Sequence, residues 1–236
     1  MDRLLVERGL AETRERAHAL ILSGAVVVDG QHAGKPGQAV AAEADLAVQP
    51  TGPEYVSRGA YKLLAALDHW RIDPSNRVAL DVGASTGGFT DVLLQRGARR
   101  VYAIDVGYGQ LHYRLRSDSR VVSMERTNIR YLDRLPEPIE LAVADVAFIS
   151  LRLALPAVFR LLQPDAPLVA LVKPQFEAGR AQVGRGGVVR DPAVHQQVLR
   201  ELEEWSTGQP WRLVDTLPSP IKGPAGNVEF LSLWRG

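Results

Sequence analysis

From residue 77 onward the chain alternates short apolar runs with stretches of helical spacing, and this alternation limits the fold more than any other feature. Runs at 77–82, 100–105, 120–124, 139–145, 166–172, 211–217 and 228–234 predict seven strands. Several, such as Leu141-Ala142-Val143-Ala144 and Leu168-Val169-Ala170-Leu171-Val172, are apolar at consecutive positions. Such strands must be covered on both faces. Strands separated by helices in this way predict an α/β fold: a doubly wound, mostly parallel, seven-stranded Rossmann-like sheet. A helix precedes the first of these strands, with Tyr61, Leu64, Ala65 and Leu67 expected on its buried side and Trp70 near its end.

The first fifty residues follow another rhythm. Leu4-Leu5-Val6 forms a brief apolar turn ending at Gly9, and Thr13 is a candidate N-cap for a helix carrying Ala17, Leu20 and Ile21. Gly24 would stop that helix, and Val26-Val27-Val28 followed by Asp29-Gly30 reads as a strand and hairpin turn. Arg3, Arg8, Arg14 and Arg16 crowd this unit. By charge alone they are either a solvated helix face or a phosphate-binding one. Pro50-Thr51-Gly52-Pro53-Glu54 has linker composition.

The strand at 77–82 runs into Asp81-Val82-Gly83-Ala84-Ser85-Thr86-Gly87-Gly88-Phe89 and then a helix. Glycines after a strand permit a tight turn and close approach of a ligand, at the strand end where doubly wound sheets bind ligands. Asp105 ends the next strand, 24 residues after Asp81, where a ribose hydroxyl finds an acidic partner. The two together indicate a nucleoside cofactor. The leading Asp81, and Ser85 where a dinucleotide fingerprint has its second glycine, favour S-adenosylmethionine over NAD. Val106 follows Asp105, and Asn128 is open to two readings, a contact to adenine or a turn cap.

Three ionisable residues stand at strand ends: Asp145, Lys173 and Glu229. Charges there are costly unless paired or functional. Lys62, on the helix after the linker, could reach the same crevice. An amine accepts a proton only when neutral, and a nearby ammonium and a dry site would favour that form.

Two resemblances join these pieces. Arg3-Leu4-Leu5, Gly9-Leu10-Ala11, Thr13-Arg14, Ala17, Leu22, Gly24, Val26, Val28-Asp29-Gly30 and Lys35-Pro36-Gly37 resemble the S4 RNA-binding domain, an α+β module. The segments Ser57-Arg58-Gly59-Ala60-Tyr61-Lys62-Leu63, Asp81 to Phe89, Asp105 to Leu111, Glu125-Arg126-Thr127-Asn128, Ala144-Asp145, Val172 to Glu177, Gly186-Gly187-Val188-Val189 and Gly226-Asn227-Val228-Glu229 resemble the TlyA family. That family joins an S4 domain to an FtsJ-like methyltransferase domain. The resemblance implies an S4-like domain at 1–49, a linker at 50–56 and the methyltransferase domain at 57–236.

It further implies 2′-O-methylation of cytidine in ribosomal RNA, within a ribosomal subunit or an assembly intermediate, using S-adenosylmethionine. Lys62, Asp145, Lys173 and Glu229 match the family's catalytic set, with Lys173 the candidate base and Lys62 its cationic neighbour. Asp81, Gly83, Ala84, Ser85, Gly87, Gly88, Phe89, Asp105, Val106, Asn128 and Asp145 would contact the cofactor. Arg3, Arg14, Arg16, Lys35 and Arg58 would contact RNA. Longer relatives carry a basic N-terminal extension and an extra C-terminal segment. Their absence here suggests modification of the large-subunit RNA alone.

Composition removes other classes. The chain has no cysteine, so disulfide scaffolds, thiolate metal sites and Cys-dependent attack on a pyrimidine ring are excluded. No metal is expected. The motif of exocyclic-amine methyltransferases is missing, which directs the target toward oxygen. No run approaches the ~20 apolar residues of a membrane span and no signal-peptide pattern opens the chain. A cytoplasmic protein is expected, and the hemolysin label of some relatives finds no membrane-inserting segment here. The other rival is an RNA-binding protein without catalysis, against which the intact four-residue set argues. Basic and acidic residues balance at 28 to 27, but only four of the basic ones are lysine. The excess of arginine suits phosphate recognition or reflects codon usage.

Overall fold

The computed structural model describes residues 1–22, 24–33, 35–48 and 55–236. It divides into two compact units, Met1–Glu54 and Tyr55–Gly236. The proline-rich stretch read as a linker lies largely outside the described residues.

In the first unit, helices α1 (Asp2–Glu7) and α2 (Arg14–Leu22) pack with strands β1 (Val26–Val28), β2 (Gln31–His32) and β3 (Leu46–Val48). β1 pairs antiparallel with both others. Leu5, Ala17, Ile21 and Val26 form its core. The Thr13 hydroxyl accepts the Arg16 N–H at 3.1 Å, an N-cap contact. Asp29 and Gly30 both have positive φ, as a tight turn between β1 and β2 requires. Arg8 donates to the carbonyls of Ala42 and Ala44, pinning the loop that leads into β3.

The second unit opens with α3 (Ala60–Trp70) and continues as β4 (Val78–Val82), α4 (Gly88–Gln95), β5 (Arg100–Ile104), α5 (Tyr113–Arg116), β6 (Val121–Met124), β7 (Leu141–Ala144), α6 (Leu151–Phe159), β8 (Leu168–Val172), α7 (Pro174–Glu177), α8 (Pro192–Thr207), β9 (Arg212–Pro218) and β10 (Phe230–Arg235). The seven strands lie in the order β6-β5-β4-β7-β8-β10-β9. All neighbours are parallel except β10, which runs antiparallel between β8 and β9. Alternate residues of one strand enter separate cores. Val78, Leu80 and Val82 pack on one face, Ala79 on the other. Both faces are thus covered, as the continuous apolar runs demand.

One sequence expectation is corrected. The face of α3 that enters the core carries Ala60, Leu63, Ala66 and Leu67, together with Lys62. Tyr61 is 44% exposed and meets Tyr55 edge to face, with ring centroids 5.8 Å apart. Leu64 and Ala65 are only partly buried. The helix is turned from the expected phase, and that turn carries Lys62 inward.

Candidate active site

A cleft of about 900 Å³ opens at the carboxyl ends of the parallel strands. The order of the strands explains its place. β4 leads toward β5 and β6 on one side and β7 and β8 on the other, so the chain reverses direction between β4 and β7. A doubly wound sheet leaves its ligand crevice at such a reversal.

The loop after β4 forms one wall. Gly83 has φ +83°, and a Cβ there would lie 2.5 Å from the backbone oxygen of Asp145. A Cβ on Gly87 would overlap Leu115, and one on Gly88 would overlap Ser57. Ser85 also has positive φ, a conformation glycine adopts at no steric cost. Its N–H donates to Asp105 Oδ2 at 2.8 Å, while Gly107 N–H donates to Oδ1 at 2.7 Å. Asp105 therefore ties two loops together at the edge of the cleft.

Asp81 lies fully buried at the end of β4. Thr90 Oγ1 donates to its Oδ2 at 2.6 Å, and its Oδ1 has no hydrogen-bond partner. Burial pushes its pKa up to about 7, although the Thr90 bond pulls the other way. An orphaned buried carboxylate oxygen fits a cationic or donor group of a bound ligand.

The four candidate catalytic residues form two ion pairs. Lys62 Nζ donates to Glu229 Oε2, both side chains being buried. Lys173 Nζ lies 2.6 Å from Asp145 Oδ1, a charge contact without the alignment of a hydrogen bond. Lys173 and Asp145 line the cleft, whereas Lys62 and Glu229 are not part of its wall. Register brings the pairs near one another: Phe230 of β10 sits opposite Val172 of β8, so Glu229 and Lys173 occupy adjoining strand ends.

The other sequence-predicted residues fall into groups. Gly83, Ser85, Asp105, Val106, Asn128 and Asp145 line the cleft. Ala84 and Phe89 belong to the core, and neither Gly87 nor Gly88 is part of the cleft wall. Asn128 Oδ1 accepts the Arg130 N–H at 3.1 Å, so its side chain is a cap as well as a wall residue. In the first unit Arg14 Nε donates to Asp2 Oδ2 at 2.7 Å, holding that carboxyl down at about 2, and Arg3 lies 3.8 Å from Glu7. Arg16, Lys35 and, in the second unit, Arg58 are exposed, with no side-chain partner among the described residues.

Sequence reasoning missed two aromatic residues. Phe148, in the loop after β7, has φ +64° and is 91% exposed. Its ring lies 5.3 Å from that of Phe176, and both line the cleft. An exposed phenylalanine held at positive φ is costly on both counts and marks a place where a ligand belongs. Glu177 stands inside the Val172–Glu177 motif with no role of its own readable from sequence. Burial raises its pKa, and it accepts from Ser150 Oγ at 2.6 Å and Leu151 N–H at 2.7 Å, capping α6.

Comparison with known proteins shows the family. Residues 55–235 match the FtsJ-like methyltransferase family and residues 2–46 the S4 domain. The 16S/23S rRNA (cytidine-2′-O)-methyltransferase TlyA of Mycobacterium tuberculosis is 48% identical over 99% of this chain and 88% of its own length. This chain belongs to the TlyA family of FtsJ-like methyltransferases. Another member, the 23S rRNA (cytidine-2′-O)-methyltransferase TlyA of Campylobacter jejuni, is 37% identical over 75% of this chain and 69% of its own length. Members also carry another name: a solved Streptococcus thermophilus protein described as a hemolysin is 43% identical, with a TM-score of 0.75 over 99% of this chain and 86% of that one. A Listeria monocytogenes S-adenosylmethionine-dependent methyltransferase, 14% identical with a TM-score of 0.51 over 76% of this chain and 99% of that one, shares the fold. No helix of the described residues is long and apolar enough to cross a membrane.

Proposed function

We propose that this TlyA-family chain transfers a methyl group from S-adenosylmethionine to the 2′-hydroxyl of a cytidine in ribosomal RNA. The observation that carries the reading is the Lys173–Asp145 pair standing in the cleft wall beside the Gly83 loop. Large-subunit RNA is the proposed substrate, because it is common to the activities named for the mycobacterial and Campylobacter relatives. With such a substrate the protein works in the cytoplasm.

The residues present fit the cofactor. Asp81 supplies an unmatched buried carboxylate oxygen, Gly83 lets its loop pack against the Asp145 backbone where a side chain could not fit, and Asp105 and Val106 line the adjoining wall. The cofactor would supply an electrophilic methyl carbon on a sulfonium centre. For Lys173 Nζ to take the proton of the 2′-hydroxyl, its pair with Asp145 would first have to release the ammonium proton; Asp145 would then hold the ammonium formed as the hydroxyl is deprotonated. Glu229 neutralises Lys62, so this buried pair acts by orienting the end of β10 rather than by presenting free charge. The exposed Phe148 ring beside Phe176 offers a stacking face for the target base. Much of the rate would come from holding the 2′-hydroxyl in place against the donor. In the first unit, the unpaired Arg16 and Lys35 are the strongest candidates for phosphate contact.

The test is transfer of labelled methyl from S-adenosylmethionine to separated ribosomal subunits that lack the modification. We expect alkali-resistant label at a large-subunit cytidine and its loss with Lys173→Ala. Label in a base, or full turnover by Lys173→Ala at every pH, would overturn the reading.

A further inference from the structure

Two loops flank the catalytic strand ends: 178–190, which follows α7, and 219–228, which enters β10. Both lack acidic residues, in a chain where acids and bases otherwise balance. Between them they carry Arg180, Arg185, Arg190 and Lys222, all exposed. None of the four has an ion-pair or hydrogen-bond partner for its side chain among the described residues. Elsewhere in the unit some exposed arginines are paired, as Arg99 and Arg100 are with Glu137 and Arg120 with Asp118, while others, such as Arg114, Arg134 and Arg200, are exposed without an ion-pair or hydrogen-bond partner for the side chain among the described residues; what sets these two loops apart is four such cations with no acid between them.

These loops are built, not loose. Asn227, only 2% exposed, uses both ends of its amide to join them. Its Oδ1 accepts the Val189 N–H at 3.0 Å and its Nδ2 donates to the Gly187 carbonyl at 2.9 Å. His195, also buried, meets the Val189 carbonyl at 3.0 Å. Gly184 and Val188 close the hairpin by an antiparallel bridge, and Gln182 bonds to Gly179 and Gln197. The second loop folds back on itself through Gly223 N–H to Asn227 O at 3.0 Å. A Cβ on Gly223 would lie 2.5 Å from Glu229 Oε1, so this turn packs directly on the catalytic pair. Four unpaired cations are therefore carried on a platform fixed to Glu229 and continuous with Lys173 and Phe176.

We infer that this platform is a second RNA-docking surface, with Arg180, Arg185, Arg190 and Lys222 gripping phosphates of the strand that flanks the target nucleotide. The inference rests on the function proposed above. Guanidinium forks match phosphate oxygens, and fixed loops give those contacts without the entropy of ordering a mobile arm. Unpaired exposed cations concentrated at one edge of an active cleft form an electrostatic footprint for a polyanion.

The experiment measures binding of the full chain to unmodified large ribosomal subunits across a salt series. It compares wild type, the quadruple change Arg180→Ala/Arg185→Ala/Arg190→Ala/Lys222→Ala, and the control Arg71→Ala at the opposite end of α3. The quadruple variant should lose tenfold or more in affinity, and its plot of log affinity against log salt should flatten by roughly 3, at about 0.7–0.9 per phosphate contact. Its cofactor affinity and melting temperature should stay at wild-type values, and Arg71→Ala should behave as wild type throughout. Asn227→Ala, which leaves all four cations but unties the loops, should weaken binding with little change in slope. Wild-type affinity and slope in the quadruple variant, while wild type methylates the subunit, would overturn the inference and leave the proposed function standing. A wild-type chain that neither binds nor methylates the subunit would overturn both.

Discussion

The carboxyl of Asp81 has one oxygen bonded to Thr90 and the other bonded to nothing, inside a fully buried site. Folded and ligand-free, it holds its proton up to about pH 7, against about 3.8 for an ordinary aspartate. As pH rises through that window the unfolded chain has lost the proton while the folded chain keeps it. Stability therefore falls, and the cost is complete above about pH 7. Its upper bound is roughly 4 kcal/mol, taking about 1.4 kcal/mol per pH unit. Asp81→Asn should accordingly stabilise the ligand-free protein at mildly alkaline pH, with a margin that shrinks on acidification, as denaturant titrations at several pH values would record. A cationic cofactor needs the ionised form, so its affinity for wild type should rise with pH toward neutrality. Calorimetry on Asp81→Asn should find weaker, pH-independent binding. An unchanged pH profile in the variant would show that Asp81 is not the titrating group.

At the scale of elements, the Lys62–Glu229 pair joins the first turn of α3 to the start of β10 across 167 residues of sequence. Removing one partner of a buried pair leaves an uncompensated charge and costs about 3–5 kcal/mol, whereas replacing both with apolar groups can be neutral. Lys62→Met and Glu229→Leu should each lower the melting temperature sharply, and the double variant should melt above either single one. Loss of methyl transfer in a single variant thus reflects a displaced element as much as lost chemistry. Only a double variant that is stable yet inactive would separate the two. This contact also shows what the sequence can tell. The strands were legible because β7 and β8 are apolar at every position, and Asp145, Lys173 and Glu229 stood out as charges ending such runs. Lys62 was legible as a residue able to reach the crevice from the helix after the linker, but its place in the set came from resemblance, since a lysine on a helix next to Tyr61 otherwise reads as solvated. The phase of α3 was misread because Tyr61, Leu64 and Ala65 are as apolar as the residues that fill the core. Phe148 gave no signal at all. In Val146-Ala147-Phe148-Ile149 it looks like interior material, and only its positive φ and exposure reveal otherwise. Asn227 lay inside a quoted motif, but its two loop contacts depend on a fold that brings residues 38 and 40 positions apart together.

Taken whole, the molecule comprises two units with separate cores. Leu5, Ala17, Ile21 and Val26 serve the first, and the two faces of the seven-stranded sheet serve the second. The cofactor residues proposed above all belong to the second unit, so a small ligand should stabilise that unit alone. At a concentration about a hundredfold above its dissociation constant, the gain is roughly 2.7 kcal/mol. For a unit of this size that raises the melting temperature by about 5–10 °C. Differential scanning calorimetry should resolve two transitions. S-adenosylmethionine should move only the larger one, the unfolding of Tyr55–Gly236. The smaller transition, from the first unit, should instead respond to acid. Arg14 holds the Asp2 carboxyl down at about 2, below its ordinary 3.8, so that contact adds stability above about pH 3.8 which is lost as pH falls toward 2. Asp2→Asn should lower the small transition at neutral pH and leave the large one in place. A single transition that shifts as one with cofactor would mean the two units unfold as one cooperative body, and the stability of the first unit would then depend on cofactor bound in the second.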